Sequence, residues 1–182
     1  LSFNNFVEHN EKKLTWQSGI VPKFERGDFE GFDPNKKQPS LYRPFLKQWA
    51  YYSNFYNQRV ARIPDIFPAK DSENLVFSVT GRGATKDFSA LITNVIPDLE
   101  MISKGQCVTL YLYEKAEPDT GLFAQEGVEA EYQRRDAITD GALAHFHEAY
   151  PELSINKEDI FYYIYGLLHS EDYRERYADN LS

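Results

Sequence analysis

The sequence predicts an α+β fold, with a mixed or antiparallel central sheet and a helical C-terminal part packed against it. Strand-like runs rich in β-branched and aromatic residues occupy the middle of the chain, and Leu75–Thr80 and Cys107–Tyr113 are the clearest of them. Later the pattern changes to the i, i+3, i+4, i+7 spacing of one buried helix face. That face consists of Phe161, Ile164, Tyr165 and Leu168.

The composition fits one folded domain of 182 residues. Hydrophobic residues make up 42% of the chain and aromatic residues 15%, which is enough apolar material for a core. We expect an irregular segment at 1–40, a sheet-rich part at 41–115 and a helical part at 136–180. Neither end of the sequence reads as a natural terminus, so we expect the chain to belong to a longer polypeptide.

One cysteine and the absence of long apolar runs bear on the compartment. Cys107 stands alone, which excludes a disulfide framework and favours a reducing, cytoplasmic setting. We expect its side chain to be buried in a strand. No run of 18 or more apolar residues is present, so no transmembrane helix and no membrane partner are expected.

The charge is distributed unevenly along the chain. The net charge is −8, which argues against a general nucleic-acid binder. Residues 1–106, however, hold 14 Lys and Arg against 12 Asp and Glu, whereas residues 107–182 hold 6 against 16. A phosphate-facing surface is therefore expected in the first part. The acidic second part has a simpler interpretation as a well-solvated helical surface.

The segment Leu41–Pro68 combines dense aromatic residues with interspersed cations and indicates a surface that holds a partner. We expect Tyr42-Arg43-Pro44-Phe45 to be extended, because the residue before Pro44 avoids the helical region. Aromatic side chains in such a segment are mostly core residues, and we expect this of Phe45, Trp49 and Phe67. The cations of the segment are Arg43, Lys47, Arg59 and Arg62.

Two further groups of cations lie in loops. The run Gly81–Lys86 follows a predicted strand but lacks the spacing of a phosphate-binding loop. Because glycine lets the backbone come close to a ligand, Arg82 is a candidate contact, and an ordinary turn is the alternative. Lys36 and Lys37 precede the central segment, either as solvated loop charges or as phosphate contacts.

No catalytic, metal or cofactor site is expected in this chain. His145 and His147 are two residues apart on a predicted helix and point to different faces, so they are poor joint metal ligands. Glu129 and Glu131 could act as an acid–base pair, but nothing distinguishes them from solvated surface carboxylates. The sequence contains no Gly-x-Ser-x-Gly elbow and no Gly-x-Gly-x-x-Gly fingerprint.

The helical part has clear start signals. Thr139, Asn156 and Ser170 are each expected to cap the N-terminus of a helix. Acidic residues follow each of them in the first turn, as the helix dipole favours. The first of these helices should end before Pro151, and the second should extend to Leu168.

Three segments together resemble a known family. The first contains Tyr42-Arg43-Pro44-Phe45, Trp49, Tyr51-Tyr52, Arg59 and Pro64-x-x-Phe67-Pro68. The second contains Phe88-Ser89-Ala90-Leu91-Ile92-Thr93, Ile96-Pro97-Asp98, Gln106-Cys107 and Leu110-Tyr111-Leu112-Tyr113. The third contains Ile138-Thr139-Asp140, the run 157–170 and Tyr173-Arg174-Glu175-Arg176-Tyr177. Over residues 41–180 this set resembles the C-terminal specificity domain of type ISP single-polypeptide restriction–modification enzymes.

The resemblance implies a division of labour within a longer polypeptide. In that family a nuclease, an ATP-driven translocase and an adenine methyltransferase lie upstream, and the methyltransferase signature Asn-Pro-Pro-Tyr is absent here. This domain would then recognise double-stranded DNA for those upstream domains, without a cofactor or turnover of its own. The alternative is a protein-interaction module that docks the upstream domains or another subunit.

Candidate DNA contacts are the cations of the basic part that lie among loops and aromatic residues. Contacts to phosphate set the register, and a few side chains read base edges. The candidates are Arg43, Lys47, Arg59, Arg62, Arg82 and Lys86.

Overall fold

The computed structural model of the chain describes residue 12 and residues 19–57, 60–115 and 132–181. Within these ranges the chain has an α+β fold, which confirms the fold class predicted from the sequence. The helices are α1 (Ile20–Glu25), α2 (Ile63–Ile66), α3 (Asp140–Ala149), α4 (Lys157–Leu167), α5 (Glu171–Arg176) and α6 (Ala178–Leu181). The strands are β1 (Lys37–Arg43), β2 (Leu46–Tyr51), β3 (Val76–Val79), β4 (Ala90–Thr93), β5 (Ile96–Pro97), β6 (Gln106–Thr109), β7 (Tyr111–Lys115) and β8 (Tyr132–Asp136).

The described strands form three small sheets. The first has the order β2-β1-β5, in which β1 pairs antiparallel with β2 and parallel with β5. The second has the order β4-β3-β6 and is antiparallel throughout. The third is the antiparallel pair of β7 and β8. The first strand begins at Lys37, four residues before the expected start of the sheet-rich part.

The run Cys107–Tyr113, expected to be one strand, is two strands in different sheets. The break falls at Leu110, which is buried. The buried side chain of Asn74 occupies the break: its Oδ1 accepts from the backbone N–H groups of Leu75 and Tyr111, and its Nδ2 donates to the carbonyl of Tyr111. A side-chain amide thus replaces a strand partner, so the backbone can leave one sheet and enter another without unsatisfied polar groups.

The helical part packs on the second sheet through the face that the sequence predicted. Phe77 of β3, Leu110 and Phe161 of α4 form a buried cluster, and the Phe77 and Phe161 rings are 5.1 Å apart. The partly buried residues packed against this cluster include Ile164, Tyr165 and Leu168. This contact fixes α4 on one face of the sheet.

The predicted helix starts are confirmed by the capping hydrogen bonds. The side chain of Thr139 accepts from the N–H of Ala142, and that of Ser170 accepts from the N–H of Tyr173. Asn156 forms a complete capping box with Asp159. α3 ends at Ala149, directly before Tyr150 and Pro151, as expected.

Lys157 connects the helical part to the third sheet. Its Nζ lies 2.6 Å from a carboxylate oxygen of Asp140 in α3 and 3.2 Å from one of Asp136 in β8. The hydrogen bond from Lys157 lowers the pKa of the Asp140 carboxyl, and the same contact raises the pKa of Lys157. Both groups therefore keep their charges through the neutral pH range.

The side chain of Cys107 differs in burial from the sequence prediction. It lies in a strand, as expected, but its side chain is exposed, so the predicted burial is wrong. β6 is one of the two outer strands of the second sheet, and an outer strand can leave a side chain in solvent. The Cys107 Sγ lies 3.1 Å from the Ser78 Oγ on the neighbouring strand.

Candidate functional site

One edge of the fold brings together loops that are distant in sequence. β1 and β5 run parallel to each other, and both end at this edge. β3 also ends there and β6 begins there, because Val79 pairs with Gln106. The loop 98–105 crosses the edge between β5 and β6. The Asp98 N–H donates to the carbonyl of Leu41, and the Gly81 N–H donates to the carbonyl of Ser103. The first and second sheets are therefore connected here through one loop.

The hairpin end, residues 42–49, is the most exposed structured segment at this edge. Every residue in it is exposed, including four successive residues of β2. Because successive strand residues point to opposite faces, both faces of β2 are open to solvent. The pairing register shifts between Leu41 and Arg43, and such a bulge redirects the strand next to the turn.

The hairpin end corrects two expectations about aromatic burial. The side chain of Phe45 is 90% exposed and that of Trp49 is 63% exposed, so the prediction that both are core residues is wrong. Phe67 is buried, as predicted. The difference arises because β2 is an outer strand of its sheet, whereas Phe67 packs against Ile66, Val76 and Ile96. A high aromatic content therefore does not distinguish a core strand from an exposed strand.

The turn of the hairpin also differs from the expected extended conformation. Arg43 pairs with Leu46, so Pro44 and Phe45 form a two-residue connection. Phe45 has a φ of 67°, in the left-handed region. Proline at the first position and a positive φ at the second are the features of a type II turn. The preceding residues, up to Arg43, are extended as predicted.

Two candidate cations lie on the hairpin end. Arg43 donates through Nη1 to the carbonyl of Glu100 at 2.8 Å, and its guanidinium lies over the Tyr42 ring at 4.7 Å. Lys47 is exposed on β2. Lys37 lies with its Nζ 4.8 Å from the centre of the Trp49 ring, while Lys36 pairs with Glu30. Arg43 thus braces the hairpin end on the loop 98–105, and Lys47 and Lys37 extend its positive surface.

The other two candidates at this edge lie in the loop 81–86. Arg82 and Lys86 are exposed, and neither forms an ion pair with any residue in the described ranges. Lys104 holds this loop, because its Nζ donates to the carbonyl of Gly83 at 2.7 Å. The sequence predicted that glycine would let the backbone in this loop come close to a ligand. In the structure, the backbone that Gly81 approaches closely is that of Lys104. Lys104 carried no sequence signal, since its partner is 21 residues away.

The structure describes only one of the remaining two candidates. Arg59 lies outside the described residues, as do Glu129 and Glu131. Arg62 precedes α2 and pairs with Asp65 at 3.2 Å. It lines a depression with residues of β7 and β8, and none of its described hydrogen bonds or ion pairs joins it to the hairpin end or to the loop 81–86.

Neither a metal site nor a membrane-spanning helix is found in the described ranges. No group of three or more His, Cys, Asp and Glu residues there could hold a metal ion. None of the helices in those ranges is long and apolar enough to cross a bilayer.

An α+β domain that presents cations and exposed aromatic rings at one braced edge has features that suit a recognition domain. The chain is a member of the Type ISP C-terminal specificity domain family, whose model matches residues 2–182. Among curated proteins no relative matches the sequence.

Solved structures with the same fold come from much longer chains. The ATP-dependent Type ISP restriction-modification enzyme LlaBIII bound to DNA is 25% identical over 100% of this chain and 11% of its own, with a TM-score of 0.78. The DrdV–DNA complex is 32% identical over 98% of this chain and 16% of its own, with a TM-score of 0.80. A nuclease-deletion mutant of the Type ISP restriction-modification enzyme LlaGI with a DNA substrate mimic is 28% identical, with coverages of 98% and 12% and a TM-score of 0.71. This chain therefore spans between a tenth and a sixth of their lengths.

Proposed function

We propose that this domain recognises a short sequence in double-stranded DNA and acts within a larger restriction–modification polypeptide. Nuclease, ATP-driven translocase and adenine methyltransferase activities would belong to the remainder of that polypeptide, and the domain itself would perform no chemistry. Membership of the specificity-domain family supports the role, and the three similar structures are all described as complexes with DNA or a DNA mimic.

The observation that carries the proposal is the shared support of two exposed cationic segments. The hairpin end and the loop 81–86 both contact the loop 98–105, through Arg43 and Glu100 and through Gly81 and Ser103. Their relative position is therefore fixed before any ligand arrives, which reduces the entropy cost of binding. A two-stranded β-ribbon fits the major groove of B-DNA, where each base pair shows a distinct pattern of donors and acceptors.

The four candidate cations at this edge are proposed to divide between phosphate contacts and base reading. Arg82, which can form a bidentate pair with guanine, is the proposed base reader. Lys47, Lys86 and Arg43 are the proposed phosphate contacts. Arg43 is assigned to phosphate and not to a base because its Nη1 already donates a hydrogen bond to the carbonyl of Glu100. Roles for Arg59 and Arg62 remain predictions from the sequence. The acidic helical part would face away from the duplex.

Selection from random duplexes tests the function directly. The full polypeptide and the 182-residue domain should each enrich a preferred sequence. Neutralising three or four phosphates would make the logarithm of affinity fall against the logarithm of salt concentration with a slope of about −3 to −4. Selection by the full polypeptide that returns no preferred sequence would sink the proposal.

Replacing Arg82 with alanine should weaken binding to the selected duplex by about 1–3 kcal/mol and relax preference at one position. Lys86→Ala should weaken binding to all duplexes similarly and make the salt slope shallower by about 1. Arg26→Ala is the matched control, because Arg26 is an exposed arginine paired with Asp28. Titrations against selected and scrambled duplexes measure all three variants. An affinity of Arg82→Ala equal to that of Arg26→Ala would remove Arg82 from the interface.

A second candidate function, docking of another domain of the polypeptide, is favoured by an apolar groove on the helical part. The groove has a volume of about 260 Å³. It is lined by Phe146, Tyr150, Leu153, Ile155, Asp159, Ile160 and Tyr163. Leu153, Tyr163 and Tyr150 are 59%, 51% and 47% exposed, so the groove presents a contiguous apolar patch, which is the kind of surface that a partner covers. Docking is compatible with DNA recognition at the basic edge, because the groove and that edge share no residue.

Hydrogen exchange distinguishes the two functions. If the groove docks another domain, amides of α3 and α4 should be more protected in the full polypeptide than in the 182-residue chain, and Leu153→Asp should remove the difference. Equal protection in both proteins would eliminate docking at the groove and leave recognition unaffected.

A further inference from the structure

The tip of the hairpin end holds a bulky ring in a backbone conformation that it does not favour. Phe45 has a φ of 67°, where glycine or asparagine is normally found, and a bulky residue there is an outlier. The ring is 90% exposed, so no packing within the described ranges offsets the strain. A strained residue that gains nothing from the fold is a candidate for contact with a partner.

The tip is apolar, braced and surrounded by cations. Pro44 restricts the turn, and Leu46, next to Phe45, is 53% exposed. Arg43 ties the base of the turn to the carbonyl of Glu100, which limits movement of the tip. Lys47 follows within two residues. The tip therefore has the composition of a rigid hydrophobic wedge between groups that attract phosphate.

We propose that Phe45 inserts between two stacked base pairs at or beside the recognised sequence. This inference rests on the proposed function, since it needs a bound duplex. Apolar side chains that enter a base step unstack it and kink the duplex, and the flanking cations would hold the phosphates on either side. The ring is 90% exposed at the tip of the turn, so a duplex can reach it without rearrangement of the fold. The cations around the tip favour a polyanion over an apolar protein surface as the occupant.

The test uses the full polypeptide that carries this domain and duplexes of its selected sequence. 2-Aminopurine, whose fluorescence rises when it is unstacked, is placed at successive positions along the duplex. Binding of the unmodified protein should raise the fluorescence several-fold at one base step only. Phe45→Gly removes the ring and suits the left-handed conformation, so the fold is retained. This variant should lose the rise at that step and bind the duplex at least tenfold more weakly.

Two controls separate the ring from other effects. Phe29→Ala removes a ring that is 84% exposed outside the hairpin end, and it should leave both affinity and fluorescence unchanged. Phe45→Trp retains a planar apolar wedge and should preserve the fluorescence rise. Hydrogen exchange of β1, β2 and the loop 98–105 should be the same in Phe45→Gly and the unmodified protein.

The outcomes distinguish this inference from the proposed function. Selective binding by the unmodified protein without unstacking at any position would overturn the wedge and leave DNA recognition standing. Loss of affinity in Phe45→Gly without a fluorescence change in the unmodified protein would indicate a groove contact, such as one with a thymine methyl group, and would also overturn it. Normal DNA binding by Phe45→Gly would point to a protein partner for the tip. Absence of any selective binding would overturn both proposals.

Discussion

Replacing Gly81 with alanine is expected to destabilise the domain by at least about 3 kcal/mol and to abolish selective duplex binding. An added Cβ would overlap the carbonyl oxygen of Lys104 and lie 2.7 Å from its carbonyl carbon. The neighbour is backbone, so no side-chain rotation relieves the clash. The loop 98–105 would have to move, and with it the support of both the hairpin end and the loop 81–86.

Alanine substitutions at two other glycines serve as references for the loss of stability at Gly81. Gly83 has a φ of 73°, and a Cβ there would meet only the Lys104 Nζ at 3.7 Å, so Gly83→Ala should cost about 1 kcal/mol of backbone strain. Gly31 has nothing within 4 Å of a Cβ, so Gly31→Ala should change the free energy of unfolding by less than about 0.5 kcal/mol. Urea unfolding of the three variants measures the order, and duplex titration measures binding. Equal stability of the Gly81→Ala and Gly31→Ala variants would mean that the loop 81–86 and the loop 98–105 are not in contact.

Features set by neighbours in sequence could be predicted from the sequence. Thr139, Asn156 and Ser170 cap helices because each side chain reaches a backbone N–H three residues later. The buried face of α4 follows from the spacing of its apolar residues. Both depend on interactions within one turn or one helix, so no knowledge of the rest of the fold is needed.

Features set by distant residues could not be predicted in the same way. The strand break at Leu110 depends on Asn74, whose side chain bonds to the backbone 37 residues further along the chain. Exposure of Phe45 and Trp49 depends on β2 being an outer strand, and strand order is not encoded in local composition. An aromatic strand is equally suited to a core and to a binding surface until its neighbours are known.

The candidate site follows the same division. Arg82 and Lys86 could be selected as candidates because they are cations of the basic part in a glycine-containing run after a predicted strand. That they share a support with Arg43 depends on the loop 98–105, which the sequence did not distinguish from other loops. The cations were therefore predictable individually, whereas their arrangement at one edge required the fold.

Replacing Phe161 with alanine should cost about 3–5 kcal/mol of unfolding free energy, the usual range for a buried phenylalanine. The Phe161 ring is fully buried against Phe77 of β3 and packs in the cluster that joins α4 to the second sheet. Truncation removes both the ring contacts and the burial, and it leaves a cavity at the junction of helix and sheet. The loss is a large share of the total stability of a domain of this size.

The neighbouring Tyr162 provides the matched control for this substitution. It is 45% exposed on the same helix, so Tyr162→Ala should cost less than half as much. Urea unfolding gives the free energies, and hydrogen exchange should show faster opening of α4 and β3 in Phe161→Ala. Because β3 leads directly into Gly81, loosening the sheet should also weaken duplex binding, although Phe161 is far from the proposed contacts in sequence. If Phe161→Ala were as stable as Tyr162→Ala, α4 would not be packed on β3, and the helical part could not support the edge that carries Arg82.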